Sequence, residues 1–426
     1  MIIKGAMVCD ANGEQRGDVR VEKGKIVAVE RSIMPKNGEK VLEANNLVLL
    51  PGAIDLNTRV RNSVFSKENL LKLSYKAALG GISQAILIPD CKPTSSSELG
   101  LELLNALKDE FKAQILGISD AVNEENPKCL NEIATLHKKG SKGIFAKSNT
   151  DGNLLRRACE FALMFDVPMF FSCEDESLSA NGVMNDGELS SKLGLPSIPT
   201  LSETKEVAQM SEVARFMGVK AVFLALAAER SVEIICEAKN ADMQPKTSKN
   251  KNPSLFLQTS IHHLMLTEDL CNHYNTAAKI KPPLKSETTR SKLLKRVKKG
   301  EIELITSLQS AKSQAQKDLA FEEAAFGIDM IEYFVPMCYT LFVKNERMTL
   351  SELSKILSLN PAHALGFSDK GLIAEGYDAD LILIDPKESC VIDSLDSPYS
   401  DWIFYGAVKE MFVGGRQCLG FYADNS

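Results

Sequence analysis

The sequence predicts an α/β fold: a (β/α)8 barrel of the TIM type, with a small β-sandwich domain formed by both chain termini. Three observations lead there. Short strand-like runs separated by Gly, Asn and Asp fill the first 50 residues, strand-like and helix-like stretches alternate from Pro51, and short strands return after Gly366. The opening runs are Ile2 to Val8, Val19 to Val21, Ile26 to Val29 and Leu47 to Leu50. In the middle, apolar runs such as Gln84 to Ile88, Ala113 to Ile118, Val167 to Phe171, Ala221 to Leu226 and Glu303 to Ile305 behave as buried strands. Between them lie amphipathic segments, for example Leu99 to Lys108 and Leu154 to Met164, with apolar residues at helical spacing. This rhythm continues for about 310 residues, which suits a barrel of roughly 250 residues with insertions. Ala379 to Ile384 and Val408 to Val413 are the clearest late strands. The predicted division is residues 1–50 with 367–426 in the β-domain and residues 51–366 in the barrel, because the two ends of the chain can pair into one sheet. Lys239 to Pro253, polar and lysine-rich with two prolines, reads as a solvated surface loop.

Composition narrows the function. The chain has 426 residues, 44% of them hydrophobic, enough for a large core plus an accessory domain. A net charge of -6 gives no basic field for nucleic acid or an anionic membrane, so neither is expected as a partner. Ten cysteines are scattered from Cys9 to Cys418 without a C-x-x-C pair, and MIIKGAMVCD lacks the pattern of a signal peptide. Reduced thiols and a cytoplasmic location are expected. No apolar run approaches the roughly 20 residues of a membrane span.

The candidate chemistry lies at the first barrel strand. In LVLLPGAIDLNTRVR, Leu47 to Arg61, the strand period puts Asp55, Asn57, Arg59 and Arg61 on one side. The C-terminal ends of barrel strands are where such folds build active sites. The stretch resembles the P-G-x-x-D-x-H-x-H-x-R opening of cyclic amidohydrolases. Further similarity runs through KAALGGISQAILIPDCKPT from Lys76, SCEDESL from Ser172, IHHLMLTEDL from Ile261, KIKPPLKSETTR from Lys279 and NPAHALGFSDKGLIAEGYDADLILIDP from Asn360. On these motifs the chain is identified as a member of the dihydroorotase branch. The resemblance implies a zinc-dependent cyclic amide hydrolase of pyrimidine biosynthesis.

The same resemblance shows where this chain departs. The two histidines of the first strand correspond to Asn57 and Arg59, and the bridging carboxylate to Ala146. The histidine before C-E-D corresponds to Ser172, that of the H-V-S segment to Ala225, and the aspartate of D-H-A-P-H to Leu308, followed by Gln309, Ser310, Ala311 and Lys312. A guanidinium has no lone pair for a metal. Only five histidines occur, His137, His262, His263, His273 and His363, none in an H-x-H or D-H pair. His262 and His263, adjacent in sequence, point in different directions and read as structural. Cys173 reads as a buried, inert thiol. The Gly80-Gly81 pair reads as a helix stop and tight turn.

A relic pocket is expected from Arg61, the counterpart of the family's carboxylate-binding arginine, with Asp90, Lys281 and Gln309. Arg59, Arg61 and Lys281 would form either an internal salt-bridge network with Asp55, Asp90 or another acid, or an anion site. No cofactor is expected, since zinc's ligands are replaced. The resemblance implies two principal readings. One is a non-catalytic assembly partner of the aspartate transcarbamoylase catalytic subunit, with homo-oligomerisation open. The other is an active dihydroorotase with an atypical site. A small-molecule sensor reusing the barrel pocket is a third.

Overall fold

The computed structural model describes residues 1–240, 254–394 and 396–420. Lys239 and Asn240 end a helix, Glu229–Asn240, and the rest of the expected loop to Pro253 lies outside the described residues.

The termini meet in one eight-stranded sheet. Its hydrogen-bonded order is Arg416–Leu419, Ile403–Val413, Leu381–Val391, Val48–Pro51, Ile2–Asp10, Gly13–Glu22 and Lys25–Glu30, with Val41–Glu43 pairing beside Ile2–Asp10. The join is antiparallel, with Leu381 opposite Pro51 and Ile384 opposite Val48. Side-chain alternation gives this junction two dry faces. Leu49, Leu381, Leu383 and Phe412 pack into the sheet's own core with Ile3 and Val19. Val48, Leu50, Ile382 and Ile384 face the barrel's helical layer instead. Thus the stretches read as strands from opposite ends of the sequence do form one domain.

Among the described residues, eight parallel strands build the barrel: Ala53–Thr58, Ile82–Leu87, Gln114–Gly117 with Ser119–Asp120, Ile144–Lys147, Met169–Ser172, Ala221–Phe223, Leu255–Ser260 and Leu304–Thr306. The third strand changes partner around Ile118. Gln114–Gly117 pairs with the second strand, and Ser119–Asp120 pairs with the fourth. Strands one and eight close the ring through Arg59 N–H, which donates to the Gln309 carbonyl at 2.9 Å.

Helices cover the barrel for reasons visible in sequence. In Gly152–Phe165, Leu154, Leu155, Ala158, Cys159 and Ala162 form the buried stripe, and Asp151 caps the helix by accepting from the backbone of Asn153 and Leu154. Ser66 and Ser286 cap Lys67–Leu79 and Glu287–Lys298 in the same way. No helix among the described residues is long and apolar enough to cross a membrane.

The glycine pair has a sharper role than a helix stop. Gly81 has φ +77°, while a Cβ on Gly80 would stand 1.9 Å from the Ile331 carbonyl oxygen. The Gly80 carbonyl accepts from Val335 N–H at 3.1 Å, tying the first barrel helix to the segment that follows strand eight. Gly80→Ala is therefore expected to destabilise the protein by about 1–3 kcal/mol, read as a lower urea midpoint at unchanged slope.

Candidate functional site

The strand ends surround a cavity of about 330 Å³, lined by Asn57, Arg59, Asp90, Phe145, Lys147, Ser148, Ser172, Glu174, Ala225, Lys281, Pro282, Leu308, Ser310, Lys312 and Phe326, among others. Asp55, on the same strand as Asn57, does not line it but joins the strands that do. The Asp55 carboxylate is fully buried and accepts from Thr306 Oγ1 at 2.6 Å and Ser307 N–H at 2.9 Å, stitching strand one to strand eight. Burial raises its pKa above the ordinary carboxyl value, with the hydroxyl and amide donors pulling the other way.

Above it, Asn57 donates from Nδ2 to Gln258 Oε1 at 3.3 Å, and the same oxygen accepts from Ala225 N–H at 3.3 Å. Gln258 thus holds the first, sixth and seventh strands together at the cavity. Sequence reasoning missed it, although a lone amide in the otherwise apolar start of LFLQTS was a usable signal.

Two expected ligand positions have unusual backbones. Ala225 and Leu308 have φ of +50° and +49°, a left-handed region that is unfavourable for side chains other than glycine. Both are held there locally: Leu308 N–H donates to Thr306 Oγ1 at 2.9 Å, and Glu203 accepts from the amides of Ala227 and Ala228 just beyond Ala225. The turns that would aim functional side chains are present. The side chains on them are methyl and isobutyl groups.

Arg59 is oriented by two partners. Its Nε donates to Asp90 Oδ2 at 2.5 Å and its Nη1 to Asn57 Oδ1 at 2.9 Å. Lys281 Nζ lies 2.8 Å from Glu174 Oε1. The predicted network therefore includes Asp90 and, as the other acid, Glu174, but not Asp55, which accepts from Asn57 N–H on its own strand and from Thr306 and Ser307 at strand eight.

Three expected site residues lie elsewhere. Ala146 belongs to the apolar layer behind the strand, and its neighbours Phe145 and Lys147 line the cavity, because alternate strand residues face opposite sides. The expected carboxylate position is thus one residue out of phase with the cavity. Arg61 is exposed and does not line the cavity, since the strand ends at Thr58 and the chain turns through Arg61–Ser63. Gln309 also points away. It donates to Asp329 Oδ1 at 2.6 Å and accepts from the amides of Met330 and Ile331, clamping the loop after strand eight.

The adjacent histidines serve as struts. His262 Nδ1 is 2.8 Å from the Tyr399 hydroxyl. His263 Nδ1 is 2.7 Å from Ser260 Oγ, and its Nε2 lies 3.0 Å from the Pro282 carbonyl, which fixes the loop carrying Lys281. Burial pushes the Cys173 thiol well above its ordinary value, consistent with an inert thiol.

The amidohydrolase family pattern matches residues 175–418. The chain belongs to the amidohydrolase family. This amidohydrolase is 30% identical over 402 residues to a dihydroorotase of Thermoanaerobacter sp. (strain X514), spanning 92% of this chain and 89% of that protein. It is 29% identical to a dihydroorotase of Syntrophus aciditrophicus (strain SB), spanning 98% of both. In fold it matches the L-hydantoinase (dihydropyrimidinase) from Arthrobacter aurescens, with a TM-score of 0.83, 18% identity, and coverage of 98% of this chain and 96% of that one.

The family resemblance implies zinc, and the residues present do not fit it. Catalytic zinc takes about three His, Cys or carboxylate ligands and an open position. Here the corresponding strand ends offer an amide, a guanidinium, a serine, a methyl and an isobutyl group at Asn57, Arg59, Ser172, Ala225 and Leu308. Among the described residues, no three His, Cys, Asp or Glu side chains are grouped to hold a metal ion.

Burial lowers the pKa of His262 to about 3 and of His263 to about 4, from an ordinary 6.5. Both values fall on folding, so the unfolded chain binds more protons between about pH 3 and 6.5. Their contribution to stability is full above pH 6.5 and lost as pH falls through that window. Urea unfolding should show a loss of several kcal/mol from pH 7 to pH 4, shallower in His263→Asn; equal slopes would refute buried neutral imidazoles.

Proposed function

We propose that this amidohydrolase is a dihydroorotase-like protein of pyrimidine biosynthesis that does not hydrolyse or close the ring itself and instead supports assembly of aspartate transcarbamoylase. The observation carrying this reading is the donor set at the strand ends. Hydrolysis of a cyclic amide near neutral pH needs water activated towards a pKa of about 7, which the family's metal supplies. A guanidinium in an ion pair with Asp90 stands where the resemblance puts a ligand, and it repels a divalent cation. The barrel scaffold is nevertheless intact, and it holds left-handed turns at Ala225 and Leu308 and the Asp55 seam. A retained scaffold without a metal site suits a binding role, and a protein of this size has room for an interface of roughly 800 Å² per partner.

The second reading, an active dihydroorotase with an atypical site, draws on the full-length similarity to proteins named dihydroorotase. Metal analysis separates the two. Purified protein should carry far less than one zinc per chain and show no interconversion of carbamoyl aspartate and dihydroorotate above background. Asn57→His alone should not restore activity, because a metal site works as a unit. Tightly bound stoichiometric metal together with turnover would establish the second reading.

The assembly role has its own test. Co-expression with the transcarbamoylase of the same organism should yield a defined complex, and a deletion strain should lose transcarbamoylase activity and require pyrimidine. A transcarbamoylase that migrates identically with and without this protein, in a strain accumulating carbamoyl aspartate, would refute it.

A further inference from the structure

We propose that the barrel cavity binds a small oxyanion, a carboxylate or a phosphate, directly on Arg59 and Lys312 and without a metal ion. Lys312 follows strand eight and borders both this cavity and the neighbouring one that reaches Lys76 and Asp329. It is only partly exposed, and among the described residues it makes no ion pair or hydrogen bond. Its charged neighbours are Arg59 and Lys317, both of like sign, and Asp90, which is already engaged by Arg59 Nε, while Lys317 donates only to backbone carbonyls. Burial, then Arg59, holds the Lys312 ammonium below its ordinary pKa.

A desolvated ammonium beside a guanidinium, sharing one carboxylate between them, is an uncompensated arrangement. An anion entering the cavity would relieve it. The remaining Arg59 nitrogen, Nη2, has no partner among the described residues, because Nε goes to Asp90 and Nη1 to Asn57. A planar fork with a free donor and a neighbouring point charge is the combination that grips carboxylate or phosphate oxygens. Ser172 and Ser310 add hydroxyl groups to the same walls, and about 330 Å³ restricts the ligand to a small molecule. Lys281 adds little to the excess charge, being matched by Glu174.

This inference shares with the proposed function only the misfit of the zinc ligands, and it is independent of any assembly role. The test uses the full-length protein, treated with chelator and exchanged into phosphate-free buffer, with inorganic phosphate and malonate as probes at ionic strength matched with chloride. Calorimetry should show one site per chain for at least one probe, with the same affinity before and after chelation, and thermal unfolding should show stabilisation that chloride does not give. Preference for phosphate or malonate identifies the ligand as phosphate or carboxylate.

Lys312→Met should weaken binding roughly tenfold or more, while the unliganded variant melts at or above the wild-type temperature because a strained charge has been removed. Lys312→Arg should retain binding within a few fold. The proposal is overturned if neither probe exceeds chloride, if Lys312→Met binds as the wild type does, or if unliganded Lys312→Met melts lower, which would make the lysine a structural strut. Binding that disappears on chelation would overturn both this proposal and the metal-free basis of the proposed function. Failure to associate with transcarbamoylase would leave the anion site intact.

Discussion

The seam between the first and last barrel strands rests on a buried carboxylate. Asp55 accepts from the Thr306 hydroxyl and the Ser307 amide, and Arg59 N–H reaches the Gln309 carbonyl one turn further along. A parallel sheet of eight strands leaves two open edges unless it closes, and unpaired buried backbone groups are expensive. The Asp55 contacts set the register of closure. That register in turn decides that Asn57 and Arg59 rise on the cavity side and that Leu308 and Ser310 face them. The cavity's composition follows from where the ring closes.

What the cavity holds is an inversion of charge carriers. Family resemblance implies a pocket in which protein ligands surround metal cations. Here the cations belong to side chains, at Arg59, Lys147, Lys281 and Lys312; of the three acids on the same walls, Asp90 and Glu174 pair with two of them and Glu176 is the third. Such a pocket preserves a positive character without a Lewis acid. The strained turns at Ala225 and Leu308 fit this picture, because their backbone bonds to Gln258, Thr306 and the Glu203-anchored loop serve the barrel whatever side chain they carry.

Elements around the site are fixed from outside the barrel as well. His262 ties the strand-seven loop to Tyr399 near the terminal sheet, and His263 supports the Pro282 carbonyl beside Lys281. Gly80 admits the Ile331 carbonyl, and Gln309 clamps Met330 and Ile331 from the other side. The loop after strand eight, which carries Lys312, is therefore braced by the first barrel helix at Gly80 and by its own Gln309.

Much of the architecture was legible before any coordinates. Period-two and period-3.6 patterns located strands and helices because burial of one face imposes them, and the return of short strands after Gly366 indicated a domain shared by both termini. The residue types at the positions matching the family motif, Asn57, Arg59, Ser172, Ala225 and Leu308, were equally legible, since identity at a matched position needs no coordinates. Sequence did not determine phase and reach at strand ends. Ala146 and Lys147 differ by one residue and face opposite layers; Arg61 continues a motif but lies beyond the point where the strand stops; Gln309 turns to brace a loop. Nor could sequence show that Gln258 joins three strands, or that Lys312 lies beside Arg59 without a carboxylate of its own. These are properties of register and of groups brought together from different strands, set when the eight strands close on one another.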